Sequence, residues 1–521
     1  MADRSASSDL PGEPTSIWLA STLEDGRGDT DRRSRTAPPD TRLTTNRSVD
    51  VCVVGAGIAG LSTALELSDR GESVAVLERD RVATGMTGKS TAKLTSQHGM
   101  IYDHLRREFG RRQARQYAQA QEDAIDEVER RIDELGIECG FERQPSYLYG
   151  NEPDGIQRET DAAQAAGLEA TYVTSVPPFE RAQAAVRFDE QAWFHPRRYL
   201  LGIADELRRN EDAAVYEHTR VTDIEPGRPC RVHTRAATVV ARRVVLATGF
   251  PFLDRAGYFA RMHPTRSYVL ALRLDGVPPE GMYYRPGDTS RSVRTHRGSD
   301  GTLVLVGGES HKTGQGGSTA ERYRRLERWA RDRFPVDTIA YRWSNQDYEP
   351  ADKVPFVGRA GPGTENVFVA TGFRGWGMTN GVAAGRLLAD LITDMDPPER
   401  DLFSPLRVTP KPSLDTTLTE NADAASQFAT DWARTLLTPA SGPLEPGEGR
   451  VVRRGGKPIA CARDADGVLH TASAVCPHLS CLVTWNDAEQ SWDCPCHGSR
   501  FDLDGTVLEG PATEDLPTRR P

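Results

Sequence analysis

The rhythm of apolar and polar positions changes several times along the chain. Residues 1 to 48 are rich in Ser, Asp, Arg, Thr and Pro, and their single apolar patch runs from Ile17 to Leu19. A stretch that buries so little reads as a disordered leader or as an extended arm packed on the main body. At Asp50 the pattern turns. Val51 to Val54 is an unbroken apolar run, as in a strand buried on both faces. The turn Gly55-Ala56-Gly57-Ile58-Ala59-Gly60 follows, then a helical run from Leu61 to about Asp69. A second apolar run, Val74 to Leu77, stops at Glu78. Together these predict a complete β-α-β unit.

Further on, Tyr102 to Leu135 is charged and has few breakers, which predicts one or two amphipathic helices. Strands are predicted at Phe141 to Tyr149, Val215 to Ile224, Arg231 to Leu246, Tyr268 to Leu274, Thr302 to Val306 and Val367 to Ala370. Helices are predicted at Arg197 to Arg208, Ala320 to Arg333 and Val382 to Ile392. Residues 394 to 415 are Pro-rich, Ala422 to Leu437 suits a short helix, and Pro439 to Gly449 has the Pro and Gly content of a linker. The remainder consists of short strand-like pieces between turns. The expected organisation is a leader (1–48), a body (49–412), a helix and linker (413–443) and a small C-terminal unit (444–521).

Composition narrows the function. With 521 residues, two to four domains are expected. The formal net charge of -10 argues against a nucleic-acid protein, which needs a basic face for phosphates. There is no apolar run of 18 residues and no basic segment followed by an apolar one at the start. Arg32-Arg33 is a twin-arginine pair, but no apolar core follows it. A soluble, cytoplasmic protein without a transmembrane segment is expected.

A bare G-x-G-x-x-G carries little weight. Here it follows a buried strand, opens a helix, and is followed by an acid at Glu78, as in a dinucleotide site. Gly55 allows the tight turn, Gly57 lets the backbone approach a pyrophosphate, and Gly60 allows close helix–strand packing. The helix N-terminus offers free N–H groups to the phosphates, and Glu78 is placed to accept hydrogen bonds from a ribose.

Two later features extend the pattern. Val244 to Gly249 reads Val-Val-Leu-Ala-Thr-Gly, and Asp352 to Gly358 is followed by the Gly-rich Val369 to Thr379. The arrangement resembles the D-amino-acid oxidase, glycine oxidase and sarcosine oxidase family of flavoproteins over about residues 49 to 395. The resemblance implies an α/β fold, in which a Rossmann-like FAD-binding domain is interleaved with a β-sheet substrate domain, and it implies FAD as cofactor. The residues it places at the cofactor are Gly55, Gly57, Gly60, Glu78, Arg79, Thr87, Thr91, Thr248, Gly249, Gly372, Gly375, Gly377, Met378 and Thr379. It makes His98, in a His-Gly pair, a neighbour of the flavin or else a structural loop histidine. It places Arg266, Tyr268, Arg374 and Trp376 on the substrate side, although each is also readable as a packing or surface residue. The Lys that holds a substrate carboxylate in sarcosine-oxidase-like members is replaced near Thr379. No Cys lies between Cys230 and Cys461, so FAD is expected to be held without a covalent tether.

Five of the eight cysteines crowd near the C-terminus. Cys476-Pro-His478-Leu-Ser-Cys481 is followed by Cys494-Pro-Cys496-His497-Gly-Ser499. Zinc could use two Cys and two His, but the two extra cysteines argue against it. The segment resembles the Rieske proteins of respiratory and photosynthetic cytochrome complexes. The resemblance implies a small all-β domain with a [2Fe–2S] cluster. Cys476 and Cys494 would hold one iron, His478 and His497 the other, and Cys481 would pair with Cys496. Gly510-Pro511-Ala512 resembles the proline loop over the cluster. Ser499 matches a hydroxyl donor to a cluster sulfur, and Phe501 stands where those proteins often carry a Tyr.

The chain as a whole resembles FAD-dependent oxidoreductases with a C-terminal Rieske domain. The leading expectation is oxidation of an amine or amino-acid-like small molecule, with electrons passing one at a time from flavin to cluster and on to an external electron-transfer partner. Two alternatives are reverse flow from an external donor and a redox sensor without turnover. A Rieske oxygenase would need a mononuclear iron on two His and a carboxylate, and no such closely spaced group occurs.

Overall fold

The computed structural model describes residues 10–24, 41–287, 289–298, 301–408, 415–423, 426, 432 and 442–518. An eight-stranded sheet is built on the predicted β-α-β unit. Its central strand Arg47–Val54 lies parallel to Val74–Leu77 on one side and to Thr238–Gly249 on the other. Val367–Thr371 continues the parallel set, and Phe356–Arg359 closes that edge antiparallel. Val51 to Val54 are buried, as their unbroken apolar run requires. The helix Ile58–Asp69 packs beside Gly377–Ile392. A Cβ at Gly381 would lie 2.6 Å from Ile58, so the absence of a side chain lets the two helices meet.

A second, nine-stranded and mainly antiparallel sheet stands beside the first. Its edge pair is Met262–Leu274 with Val336–Pro350. The chain crosses between the two sheets repeatedly, so the two subdomains interleave as expected. The predicted helical stretch from Tyr102 divides into Tyr102–Glu108 and Arg111–Leu135. The break falls at Gly110, whose φ of +88° is strained for a residue with a Cβ. The predicted strands Val215 to Ile224 and Arg231 to Leu246 each divide in two: Ala213–Tyr216 and Val221–Glu225, then Cys230–Thr234 and Thr238–Gly249.

The C-terminal unit is all-β, with a three-stranded sheet (Gly449–Arg454, Lys457–Arg463, Leu469–Ser473) and a four-stranded one ending at Val507–Glu509. Residues 415–423 are helical, and most of the helix expected at 422–437 lies outside the described residues.

The described part of the leader is an arm packed on the body, helical at Ile17–Glu24. Trp18 is fully buried, and its indole N–H donates to the Ser90 carbonyl at 2.7 Å. Ser16 Oγ donates to the Gly88 carbonyl. The indole of Trp343 donates to the Lys89 carbonyl at 2.7 Å. The short turn Thr87–Lys89 and the Ser90 that follows it are thus held from outside by Ser16, Trp18 and Trp343.

Candidate functional site

A cavity of about 540 Å³ opens at the C-terminal ends of the parallel strands. Its size falls within the range usual for ligand sites. The Gly55–Gly60 turn forms one wall. A Cβ at Gly60 would lie 1.9 Å from the Gly55 carbonyl, so only glycine lets the helix start this close to the strand. Two amides of the turn are taken by side chains: Ala56 N–H donates to Glu78 at 2.8 Å and Ile58 N–H to Thr87 Oγ1 at 3.1 Å. Glu78 also accepts the Asp80 N–H at 2.9 Å, and burial raises its pKa.

Most of the expected cofactor residues meet at this cavity. Gly55, Gly57, Glu78, Arg79, Thr87, Thr91, Thr248, Gly249, Gly372, Gly375, Gly377 and Met378 line it. Gly60 and Thr379 do not: Gly60 sits behind the turn, and Thr379 donates to the Thr95 carbonyl at 3.0 Å. A buried, Gly-cradled cavity at a helix start, with an acid at its far end, fits a dinucleotide.

The expected substrate-side residues separate. Arg374 and Trp376 line the cavity, and Trp376 meets Tyr284 edge to face with ring centroids 5.2 Å apart. His98 lies just behind, stacked on Trp376 at 5.2 Å. Its Nε2–H donates to the Thr95 carbonyl at 2.7 Å, and Nδ1 accepts from the Tyr117 hydroxyl at 2.6 Å. Burial lowers its pKa to about 3, so the ring is neutral. Arg266 and Tyr268 stand elsewhere. On their strand Thr265, Ser267 and Val269 line the cavity, and side chains alternate between faces. Arg266 and Tyr268 therefore point to the opposite face. Tyr268 is fully buried and donates to His311 Nε2 at 2.9 Å. Arg266 pairs with Glu489 and Glu509 of the C-terminal unit and bonds Ser344 Oγ.

The two cysteine loops of the C-terminal unit face one another. Cys481 and Cys496 form a disulfide, the pairing the resemblance implied. The sulfurs of Cys481, Cys494 and Cys496 lie within 4.8 Å of one another, but the disulfide consumes two of them. Cys476 and Cys494 remain as buried thiols, hydrogen-bonded to one another. That bond, together with the amides of His478 and Leu479 and the Ser499 hydroxyl, brings Cys476 down to about 7 against its burial. The rings of His478 and His497 are 4.9 Å apart and nearly perpendicular. Burial lowers both pKa values, His497 to about 4, which leaves the neutral imidazoles that metal binding needs. His478 Nδ1 is buried without a hydrogen-bond partner. Two thiols, two neutral imidazoles and one orphaned ring nitrogen fit a mixed-ligand cluster.

The cluster loops abut the cavity. Gln346 and Tyr348, both in its wall, reach into the C-terminal unit: Gln346 Nε2 donates to the Gly498 carbonyl at 2.7 Å, and the Tyr348 hydroxyl to the Gly510 carbonyl at 2.9 Å. The His478 ring lies 6.4 Å from Phe250 and the His497 ring 5.9 Å from Phe259. Behind this contact runs a buried ionic chain. Burial works against ionisation of Glu489, but Arg266 and Arg500 hold its pKa near 2. Arg500 also pairs with Asp493 and Glu509, and Glu509 lies 3.5 Å from Lys89. Asp487 accepts from Thr319 N–H at 2.8 Å and from Ser318, at the start of the helix Thr319–Arg331.

Sequence reasoning missed Gln346, Asp347, Tyr348 and Ser267. Alternation along Trp343 to Pro350 was a signal for that strand, but its polar residues masked it.

The fold and the two sites together define a flavin-dependent oxidoreductase carrying an iron–sulfur unit, and known proteins agree. Residues 50–391 match the FAD dependent oxidoreductase family, and residues 436–520 match the Rieske [2Fe-2S] domain. The chain belongs to that FAD-dependent oxidoreductase family, with a fused Rieske domain; its cofactors are FAD and a [2Fe–2S] cluster. It is 37% identical over 490 residues to a putative Rieske 2Fe-2S iron-sulfur protein of Bacillus subtilis, covering 93% of this chain and 96% of that one. It is 26% identical over 396 residues to a gamma-glutamylputrescine oxidoreductase of Escherichia coli, covering 72% of this chain and 90% of the relative. The fold is similar to that of glycine oxidase from Geobacillus kaustophilus, with a TM-score of 0.58 at 20% identity, covering 70% of this chain and 99% of that one. Among the described residues no helix is long and apolar enough to cross a membrane.

Proposed function

We propose that the protein oxidises an amine or amino-acid-like small molecule beside Arg374 and Trp376, and that the electrons leave one at a time through the Rieske domain. FAD, when bound, accepts a hydride equivalent, and a cluster with two imidazole ligands exchanges single electrons at a raised potential. The observation that carries this reading is the direct contact of cavity wall and cluster loop at Gln346 and Gly498. A fused acceptor docked against the donor site needs no collision to receive electrons.

The chain's own residues take these roles. The Gly55–Gly60 turn, Thr87, Thr91, Thr248 and Gly249 hold the dinucleotide, with Glu78 and Arg79 at its ribose end. Gly372, Gly375, Gly377 and Met378 form the wall on the substrate side. His98, neutral and bonded at both ring nitrogens, positions Trp376. Cys476 and Cys494 would hold one iron of the cluster, and His478 and His497 the other. Arg266 docks the Rieske domain.

Anaerobic titration with a panel of amines and amino acids tests the reading. The flavin band should bleach with one of them, and the Rieske paramagnetic signal should then appear. Bleaching without that signal defeats the proposed electron exit. Reduction of the flavin only through a pre-reduced cluster would reverse the direction.

A further inference from the structure

The dinucleotide cavity is not made by one domain alone. The Rieske segment from Leu508 to Thr513 lines it, beside Glu78 and Arg79. Arg79 donates through Nη2 to the Leu508 carbonyl at 2.7 Å, and Arg220, also in the wall, donates to the Thr513 carbonyl at 2.6 Å. Both guanidinium groups thus tie the ribose end of the cavity to the Rieske domain. The docked arrangement is held elsewhere as well, by Arg266 against Glu489 and by Asp487 on the helix at Thr319; none of these four residues lines the cavity. The connection between the domains has three Pro and three Gly from Pro439 to Gly449, a composition suited to a linker.

We propose that FAD is bound by both domains: Leu508–Thr513 completes the ribose end of its site, so that FAD binding and Rieske docking strengthen one another. The physical reason is linkage. A ligand that touches two docked pieces binds the docked state more tightly than the undocked one. By thermodynamic necessity it then favours docking by the same factor. The inference rests on the cavity and its cofactor and needs no assumption about substrate or direction of electron flow.

Two measurements on the full-length protein test it. The first compares amide hydrogen exchange in FAD-stripped and FAD-reloaded wild type at the remote contact, residues 318–320 and 486–488, which do not line the cavity. Exchange there should speed up when FAD is removed and slow again on reloading; identical exchange in both states overturns the proposal. The second uses Asp487→Arg, which removes the acceptor of Thr319 and Ser318 away from the cavity and so opposes docking. The FAD dissociation constant should rise ~10-fold or more, while the Rieske paramagnetic signal persists. A variant whose remote contact is exposed, yet which binds FAD as tightly as wild type, also overturns it. If the variant does not fold, the wild-type exchange comparison decides alone.

Discussion

The side-chain amide of Gln346 donates a 2.7 Å hydrogen bond to the carbonyl of Gly498, the residue that follows His497. Gln346 is itself held by Thr313, whose hydroxyl donates to Gln346 Oε1 at 2.9 Å. One side chain in the cavity wall is therefore bonded to the loop that carries His497. Gln346→Leu leaves two buried groups without partners, which costs about 1–3 kcal/mol for each. Flavin and cluster contents should stay near wild type, whereas cluster reduction after rapid mixing with substrate should slow several-fold relative to flavin bleaching. Unchanged cluster kinetics would show that this contact plays no part in electron exit.

A Cβ added at Gly57 would lie 3.2 Å from Thr87 Oγ1, the atom that accepts the Ile58 amide. Gly57→Val carries further atoms still, into the cavity. The purified variant should lose the yellow flavin absorbance while its Rieske signal survives, because the cluster loops belong to a separate sheet system. Normal flavin content in this variant would refute the placement of the dinucleotide.

Phe501 is fully buried in the apolar cluster that contains Cys476 and Cys494. A hydrogen bond to a ligating sulfur favours the more negative, reduced cluster. Phe501→Tyr places a hydroxyl donor in the same buried cluster as those sulfurs. Hydrogen bonds to charged groups are worth about 1.5–3 kcal/mol, and only the part that differs between oxidation states counts. With roughly 59 mV to 1.4 kcal/mol for a one-electron couple, the potential should rise by tens of millivolts. Voltammetry reads the shift; no change, or a fall, means the hydroxyl points away from the cluster.

Asp347 lies in the cavity wall and accepts the Gly375 N–H at 2.5 Å. Burial raises its pKa to about 6, against the hydrogen bonds from Tyr348 and Gly375. An acid whose folded pKa lies above its unfolded value holds its proton more tightly when folded. Its contribution to stability therefore falls as pH rises from the unfolded value of 3.8 to about 6, and is constant above that. Asp347→Asn removes this titration. The melting temperature of the variant relative to wild type should climb across that window and then level off. A difference that does not vary with pH would show that Asp347 ionises normally.

Local features were legible in the sequence and distant ones were not. The glycine turn and its flanking strands lie within thirty residues, and the two cysteine loops carry their spacing with them, so each could be read without knowing the rest of the fold. Arg266 shows the limit. Whether it or Ser267 faces the cavity depends on strand register, and a shift of one residue exchanges the two faces. The strand Val336–Pro350 was hidden for a related reason. Its Ser344, Gln346 and Asp347 are polar because they serve the cavity and the docked Rieske domain, not because they face water. Glu489 meets Arg266 from a distant part of the chain, and no local pattern announces such a pair. The helix Ile17–Glu24 is too short for its apolar patch to show a period, yet it holds the fully buried Trp18.

The turn Thr87–Lys89 and the adjoining Ser90 are held by Ser16 and Trp18 on one side and, through Lys89, by Glu509 on the other. Contacts between segments so far apart in sequence require the largest loops to close, and such contacts form late. The turn Thr87–Lys89, in the cavity wall, is therefore expected to set late in refolding. In a refolding experiment helical and sheet signals should return before flavin fluorescence is quenched by binding. Recovery of binding together with the first structural signal would contradict this order. Cofactor binding would then report that the segment around Ser16 and Trp18 and the segment around Glu509 have both packed on the body.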